Sequence, residues 1–167
     1  MCCRPDSRGR IGQMTDFYHV CFAVPDIEPA MRDLTTAAGV EWNPVKQDKL
    51  GEWEFQIVFS RKARPSSHAA PYIELIQGPP GSPWDVTETG ARCDHIGFWA
   101  QDLEAQSRRW EAEGFPTDFS GCPYGRPFAY HRADSLGIRL ELVDASRQAG
   151  FLAAWDPEGG AMPVLDT

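Results

Sequence analysis

HVCFAVPDIEPAMRDLTTAAG, from His19 to Gly39, and HIGFWAQDLEAQSRRWEAEG, from His95 to Gly114, are two copies of one pattern. Each opens on His, with Phe three residues later, Asp seven later and Glu nine later, and each runs on to a Gly. A second match follows in each half: YIELI at 72–76 and RLELV at 139–143. Self-similarity of this kind marks a duplicated supersecondary unit. Each unit here opens on a His-bearing segment and closes on a Glu-bearing one.

The local signals are consistent with this. FYHVCFAV alternates and is rich in aromatic and branched residues, as a strand should be. Asp26 stands where a helix N-cap belongs and Gly39 where a left-handed glycine ends a helix. Between them Ile27, Met31, Leu34 and Ala38 recur at helical spacing. In the second unit Asp102 caps, Leu103, Ser107 and Trp110 line one side, and Gly114 ends the helix. Strand signals follow both helices: EWEFQIVFS and PYIELIQ in the first, PFAYHRAD and GIRLELVD in the second, the last two joined by the turn ADSLG. The expected fold is α+β: two βαβββ modules forming a curved mixed sheet around a metal-containing cleft. Module one covers about 15–80 and module two about 91–145, joined by the Pro- and Gly-rich linker Gln77–Gly90. Residues 1–14 read as a disordered tail, with Met14 a natural start, and 146–167 as a C-terminal tail whose Phe151, Leu152 and Trp155 pack back as a short helix.

Composition bounds the function. The 167 residues are 42% hydrophobic and 24% charged, which suits one globular domain. A net charge of −8 without a basic run argues against nucleic acid or an anionic membrane as partner, and leaves room for a small anionic substrate held by one or two arginines. No stretch approaches a membrane span, and the N-terminus lacks an apolar signal core. Five cysteines without CxxC spacing point to the reducing cytoplasm, with Cys21 and Cys93 as small fillers on the face of the two histidines.

Strand alternation puts His19, Glu74, His95 and Glu141 together. Ile73 and Leu75, Ile96 and Phe98, and Leu140 and Leu142 form the apolar faces that the helices must cover. The two His and two Glu then point into the concave side. A lone His or Glu on a strand is more often a satisfied polar residue than a ligand. The recurrence of both at matching places changes that, and two imidazoles with two carboxylates suit one divalent ion among Zn, Ni, Co, Mn and Fe. Arg139, two residues from Glu141, and Arg126, in the loop GCPYGRPF, are candidates to grip a substrate anion, against the alternative of ordinary surface arginines. Trp99, on the face of His95, either stacks on substrate or fills the cleft. His131 is expected near a hairpin end, and His68 in a solvated loop.

On these segments the chain resembles the vicinal oxygen chelate superfamily (glyoxalase, bleomycin resistance, dioxygenase) over about residues 15–145, with methylmalonyl-CoA epimerase and glyoxalase I the nearest in pattern. The resemblance implies a metal held by His19, Glu74, His95 and Glu141. The epimerase pattern has Gln at the second of these positions; Glu74 matches glyoxalase I instead. It also implies proton transfer next to a metal-bound carbonyl of a small molecule or thioester, with Glu141 or Glu74 as base. The epimerase carries a further Glu base on the strand matching EWEFQIVFS. If the apolar face there is Trp53, Phe55, Ile57 and Phe59, then Glu54 faces the cleft as that base; otherwise it is a solvated rim residue. A metal-dependent isomerase or lyase, acting as a homodimer, is the expectation. A ring-cleaving dioxygenase and a non-catalytic antibiotic-binding protein are the alternatives.

Overall fold

A computed structural model describes residues 17–62 and 71–166. The expectations for residues 1–14, with Cys2 and Cys3, and for His68 fall outside these residues. The described chain forms one curled, half-barrel mixed sheet of eight strands with three α-helices: β1 (His19–Ala23), α1 (Ile27–Ala38), β2 (Lys46–Leu50), β3 (Trp53–Phe59), β4 (Tyr72–Gln77), β5 (Arg92–Ala100), α2 (Leu103–Ala112), β6 (Thr117–Ser120), β7 (Phe128–Ala133), β8 (Ile138–Asp144) and α3 (Gln148–Trp155). The strand order is β2-β3-β4-β1-β5-β8-β7-β6. Each half is therefore a βαβββ module, and the halves meet where β1 runs antiparallel to β5. Within each half the first strand pairs in parallel with the last, β1 with β4 and β5 with β8.

The caps form as the sequence suggests. Asp26 accepts from the Glu28 N–H at 3.1 Å and Asp102 from the Ala105 N–H at 2.9 Å, each satisfying an orphan donor of a first turn. Gly39 ends α1 in the left-handed region at φ 67°. Both helices cover one face of the sheet. Ile27 of α1 packs with Val58 and Leu75, and Leu103 and Trp110 of α2 pack with Leu142 and Ala129. Burial of such side chains contributes on the order of 2 kcal/mol each. It also decides which residues of β1, β4, β5 and β8 point the other way.

β3 departs from the expected facing. Phe59 pairs with Glu74 and Ile57 with Ile76, so Phe55, Ile57 and Phe59 look into the concave side, whereas Val58 meets α1. The rule that the apolar face lies under the helix fails here because the concave side is itself apolar at this strand. Two short polar strands, β2 (KQDKL) and β6 (TDFS), form the outer edges of the sheet, where charged residues discourage pairing with another chain.

Candidate metal centre

The centre forms at the seam between the modules. β1 supplies His19, β4 Glu74, β5 His95 and β8 Glu141, all four buried. The His19 Nε2 lies 2.9 Å from the His95 Nε2 and 2.9 Å from Glu74 Oε2. Glu141 Oε2 stands 3.4 Å from the His19 Nε2 and 3.5 Å from that of His95, and Glu74 Oε2 stands 3.5 Å from the His95 Nε2. Donor atoms of His19, Glu74 and His95 all lie within 4.8 Å of one another, and Glu141 closes the set against both imidazoles. One chain provides every member.

These donors fit a divalent ion. Ligands about 2.1 Å from one metal stand about 3.0–3.4 Å apart at octahedral or tetrahedral angles, close to the spacings here. The imidazole tautomer fits as well. His95 Nδ1 donates to Asp94 Oδ2 at 2.8 Å, which turns the Nε2 lone pair inward and supports it with a carboxylate. His19 is fixed by space rather than by a partner. Its Nδ1 is buried and has no hydrogen-bond partner among the described residues, and its ring lies over Gly97, where an added Cβ would stand 2.0 Å from the ring carbon Cε1.

The electrostatics call for a cation. Burial raises the pKa of Glu141. Burial would also raise Glu74, but the His19 and His95 imidazoles more than offset it and hold Glu74 at about 2. Burial lowers His95, but Glu141, Asp94 and Glu74 together push it up to about 10. Two buried carboxylates thus draw positive charge to this point, and either a proton or a metal ion can supply it.

Asp94 was not foreseen from the sequence. A bulge in β5 shifts the register, so that Cys21 pairs with His95 and Phe22 with Cys93, and Asp94 is the extra residue. Asp94 is thereby buried beside His95 instead of facing the helices. It accepts from Arg92 Nη2 at 2.8 Å and from Arg139 Nη2. The same bulge pairs Cys93 with a residue of the helix-covered face, in place of the shared face expected for Cys21 and Cys93.

The candidate substrate residues separate. A cavity of about 370 Å³ opens beside the centre and is lined by His19, Glu74 and Glu141. Trp99 lines it and stacks on Tyr18 at 4.2 Å between ring centroids. Arg126 lines its mouth, with Nη2 2.5 Å from Asp48 of β2. Two corrections follow. Arg139 does not line this cavity: its guanidinium is bound to Asp94, to Asp118 at 3.4 Å and to the Pro83 carbonyl at 3.1 Å, and lies over the Tyr130 ring. Its place on the strand was right, but the buried Asp94 claims the charge. Glu54 is exposed and borders a separate depression with Gln47, Gln56 and Gln77, because the apolar residues of β3 face the cleft. His131 is fully buried under α2, where it meets the Ser107 hydroxyl at 2.8 Å and donates to the Phe115 carbonyl at 2.9 Å. Residues of α3 (Phe151, Ala154 and Trp155) and the cations Lys46 and Arg147 also line the cavity. Sequence reasoning passed over these two cations because both lie in segments without hydrophobic periodicity.

The family model of the Glyoxalase/Bleomycin resistance protein/Dioxygenase superfamily matches residues 18–130, and the chain belongs to that superfamily. Its fold is shared with methylmalonyl-CoA epimerase from Mycobacterium tuberculosis, at 20% identity and TM-score 0.56 over 77% of this chain and 86% of that one. The Streptomyces coelicolor methylmalonyl-CoA epimerase, solved with 2-nitronate-propionyl-CoA, is similar at 17% identity and TM-score 0.57 over 79% and 98%. A hypothetical protein from Bacillus halodurans is similar at 15% identity and TM-score 0.59 over 79% and 95%. Identities this low establish the fold alone. No curated protein matches the chain. Among the described residues no helix is long and apolar enough to cross a membrane.

Proposed function

We propose that this protein is a divalent-metal-dependent isomerase or lyase that moves a proton at a carbon next to a carbonyl of a small molecule. The observation that carries this is the convergence of two imidazoles and two carboxylates on the wall of an apolar cavity. His19, Glu74, His95 and Glu141 would hold one ion of Zn, Ni, Co, Mn or Fe. A bound divalent ion supplies Lewis acidity toward a carbonyl oxygen.

The rest of the chemistry belongs to the chain. Glu141 is the residue we assign to proton transfer, with Glu74 as the second carboxylate of the pair. Both line the cavity, but Glu74 is drawn to 2.9 Å from His19, whereas Glu141 keeps 3.4–3.5 Å from both imidazoles and is freer to turn toward substrate. The Asp94–His95 bond holds one imidazole in orientation, and Gly97 leaves room for the other. Phe55, Ile57 and Phe59 keep water from the reacting carbon. The superfamily epimerases favour this chemistry over ring cleavage.

Elemental analysis of purified protein, combined with proton–deuterium exchange at the α-carbon of a carbonyl panel followed by NMR, tests this. The expected result is about one metal ion per chain, exchange that depends on it, and loss of metal in His19→Ala and His95→Ala. Metal-free wild-type protein would overturn the reading, as would bound iron with catechol cleavage and no exchange.

A further inference from the structure

The cavity beside the metal centre combines two chemistries. One wall is aromatic: Phe59 from β3, Trp99 from β5, and Phe151 and Trp155 from α3. Phe151 stands edge-on to Trp99 at 5.8 Å and to Phe59 at 5.0 Å, and Trp155 lies 5.1 Å from Phe59. Such surfaces favour a flat apolar body over a flexible polar one.

Two cations border that wall. Lys46 Nζ donates to the Ala154 carbonyl at 3.0 Å and stands 4.0 Å from the centroid of the Trp155 ring. Arg147 is exposed just ahead of α3. Among the described residues neither makes an ion pair with a carboxylate. Arg126 is already neutralised by Asp48. In a chain of net charge −8, two cations on one cavity that no carboxylate claims among the described residues offer an anion a place to bind. The volume of about 370 Å³ lies near the lower end for ligand sites, about 300–1,000 Å³.

We infer that the substrate joins a planar apolar body, seated among Phe59, Trp99, Phe151 and Trp155, to an anionic oxygen group that Lys46 and Arg147 bind. This rests on the proton-transfer reading only for the word substrate; the binding surface stands apart from it. The anionic group is either a free carboxylate of a small acid or a phosphate of a carrier thioester, since both present oxygens to an ammonium and a guanidinium.

Quenching of tryptophan fluorescence in the full-length protein measures this directly, because Trp99 and Trp155 line the cavity. The probes are benzoylpropionate, butyrophenone, which lacks the acid, levulinate, which lacks the ring, and benzoyl-coenzyme A. The tighter of benzoylpropionate and benzoyl-coenzyme A is expected to bind about tenfold or more tighter than both butyrophenone and levulinate, and which of the two leads identifies the source of the anion. The double variant Lys46→Met, Arg147→Gln is expected to remove that advantage and to leave butyrophenone within about twofold. Raising salt on the wild-type protein gives a second measurement independent of the variant's folding: affinity for the anionic probe should fall and that for butyrophenone should hold. Equal binding of acid and ketone would overturn the inference, as would an acid preference unmoved by both the double variant and salt. The two proposals fail separately. A protein without metal that still binds the anionic probe as described sinks proton transfer and keeps this site; one with metal-dependent exchange and no anion preference does the reverse.

Discussion

At the scale of single residues, Gly97 is the position where the centre is most easily broken. It pairs across the seam with His19, and the imidazole occupies the space a side chain would need. Its backbone is ordinary β-strand, so what is required is absence of bulk rather than freedom of φ. Gly97→Ala therefore forces His19 away from His95. The expected outcome is metal affinity lowered by at least about tenfold by calorimetry, and a loss of about 1–3 kcal/mol in urea unfolding, typical of overpacking. The convergence of the four side chains was legible in the sequence because a duplicated His and a duplicated Glu stand out against alternation. Asp94 was not, because a one-residue bulge leaves no mark in a hydrophobic pattern. Arg139 was placed on the correct face, but its partner could not be known until Asp94 was buried. Glu54 went to the wrong face because alternation in β3 fixes only which residues travel together, not which group faces the core.

At the scale of elements, a buried polar contact helps to join the linker to the second hairpin. Trp84 of the linker is almost wholly buried, and its Nε1 donates to the Tyr130 hydroxyl of β7 at 2.9 Å. Tyr130 also lies 4.8 Å from the His95 ring and under the Arg139 guanidinium. Tyr130→Phe keeps the ring and leaves the indole N–H unsatisfied, so stability should fall by about 1–3 kcal/mol. Chemical denaturation monitored by tryptophan emission reads this; an unchanged midpoint would mean that the contact is replaced by water. Helix α3 was foreseen as a short helix packing back on the sheet. Its use as a wall of the cavity depends on where the sheet curls, and no local pattern carries that. The edge strands β2 and β6 were counted in the βαβββ expectation but given no place in the sequence, for the opposite reason: a short polar edge strand has no buried face to write into its sequence.

At the scale of the molecule, the centre ties the two modules together. Each module contributes one His and one Glu, and the antiparallel pair β1–β5 is the backbone join between them. An ion bound there is linked to folding of the whole chain. At 100 times its dissociation constant it would stabilise by about 2.7 kcal/mol. Thermal unfolding with and without added zinc should show a single transition that rises in its presence, and the rise should vanish in His95→Ala. Two separate transitions in the metal-free protein would show that the modules fold independently. The βαβββ duplication, the helices and their caps were readable from sequence because they rest on periodicity, capping chemistry and repetition. The strand order across the seam follows from the fold as a whole.

The bulge at Asp94 has a stereochemical side. Two copies of one His-and-Glu device related by the seam make a nearly twofold centre, and a centre with true twofold symmetry has no left or right. Here one imidazole is braced by a carboxylate and the other only by the hollow above a glycine. One lobe of the cleft is walled by α3, to which the other module shows no counterpart among the described residues. The duplicated scaffold thereby becomes handed at the point where the two faces of a flat carbon would have to be told apart.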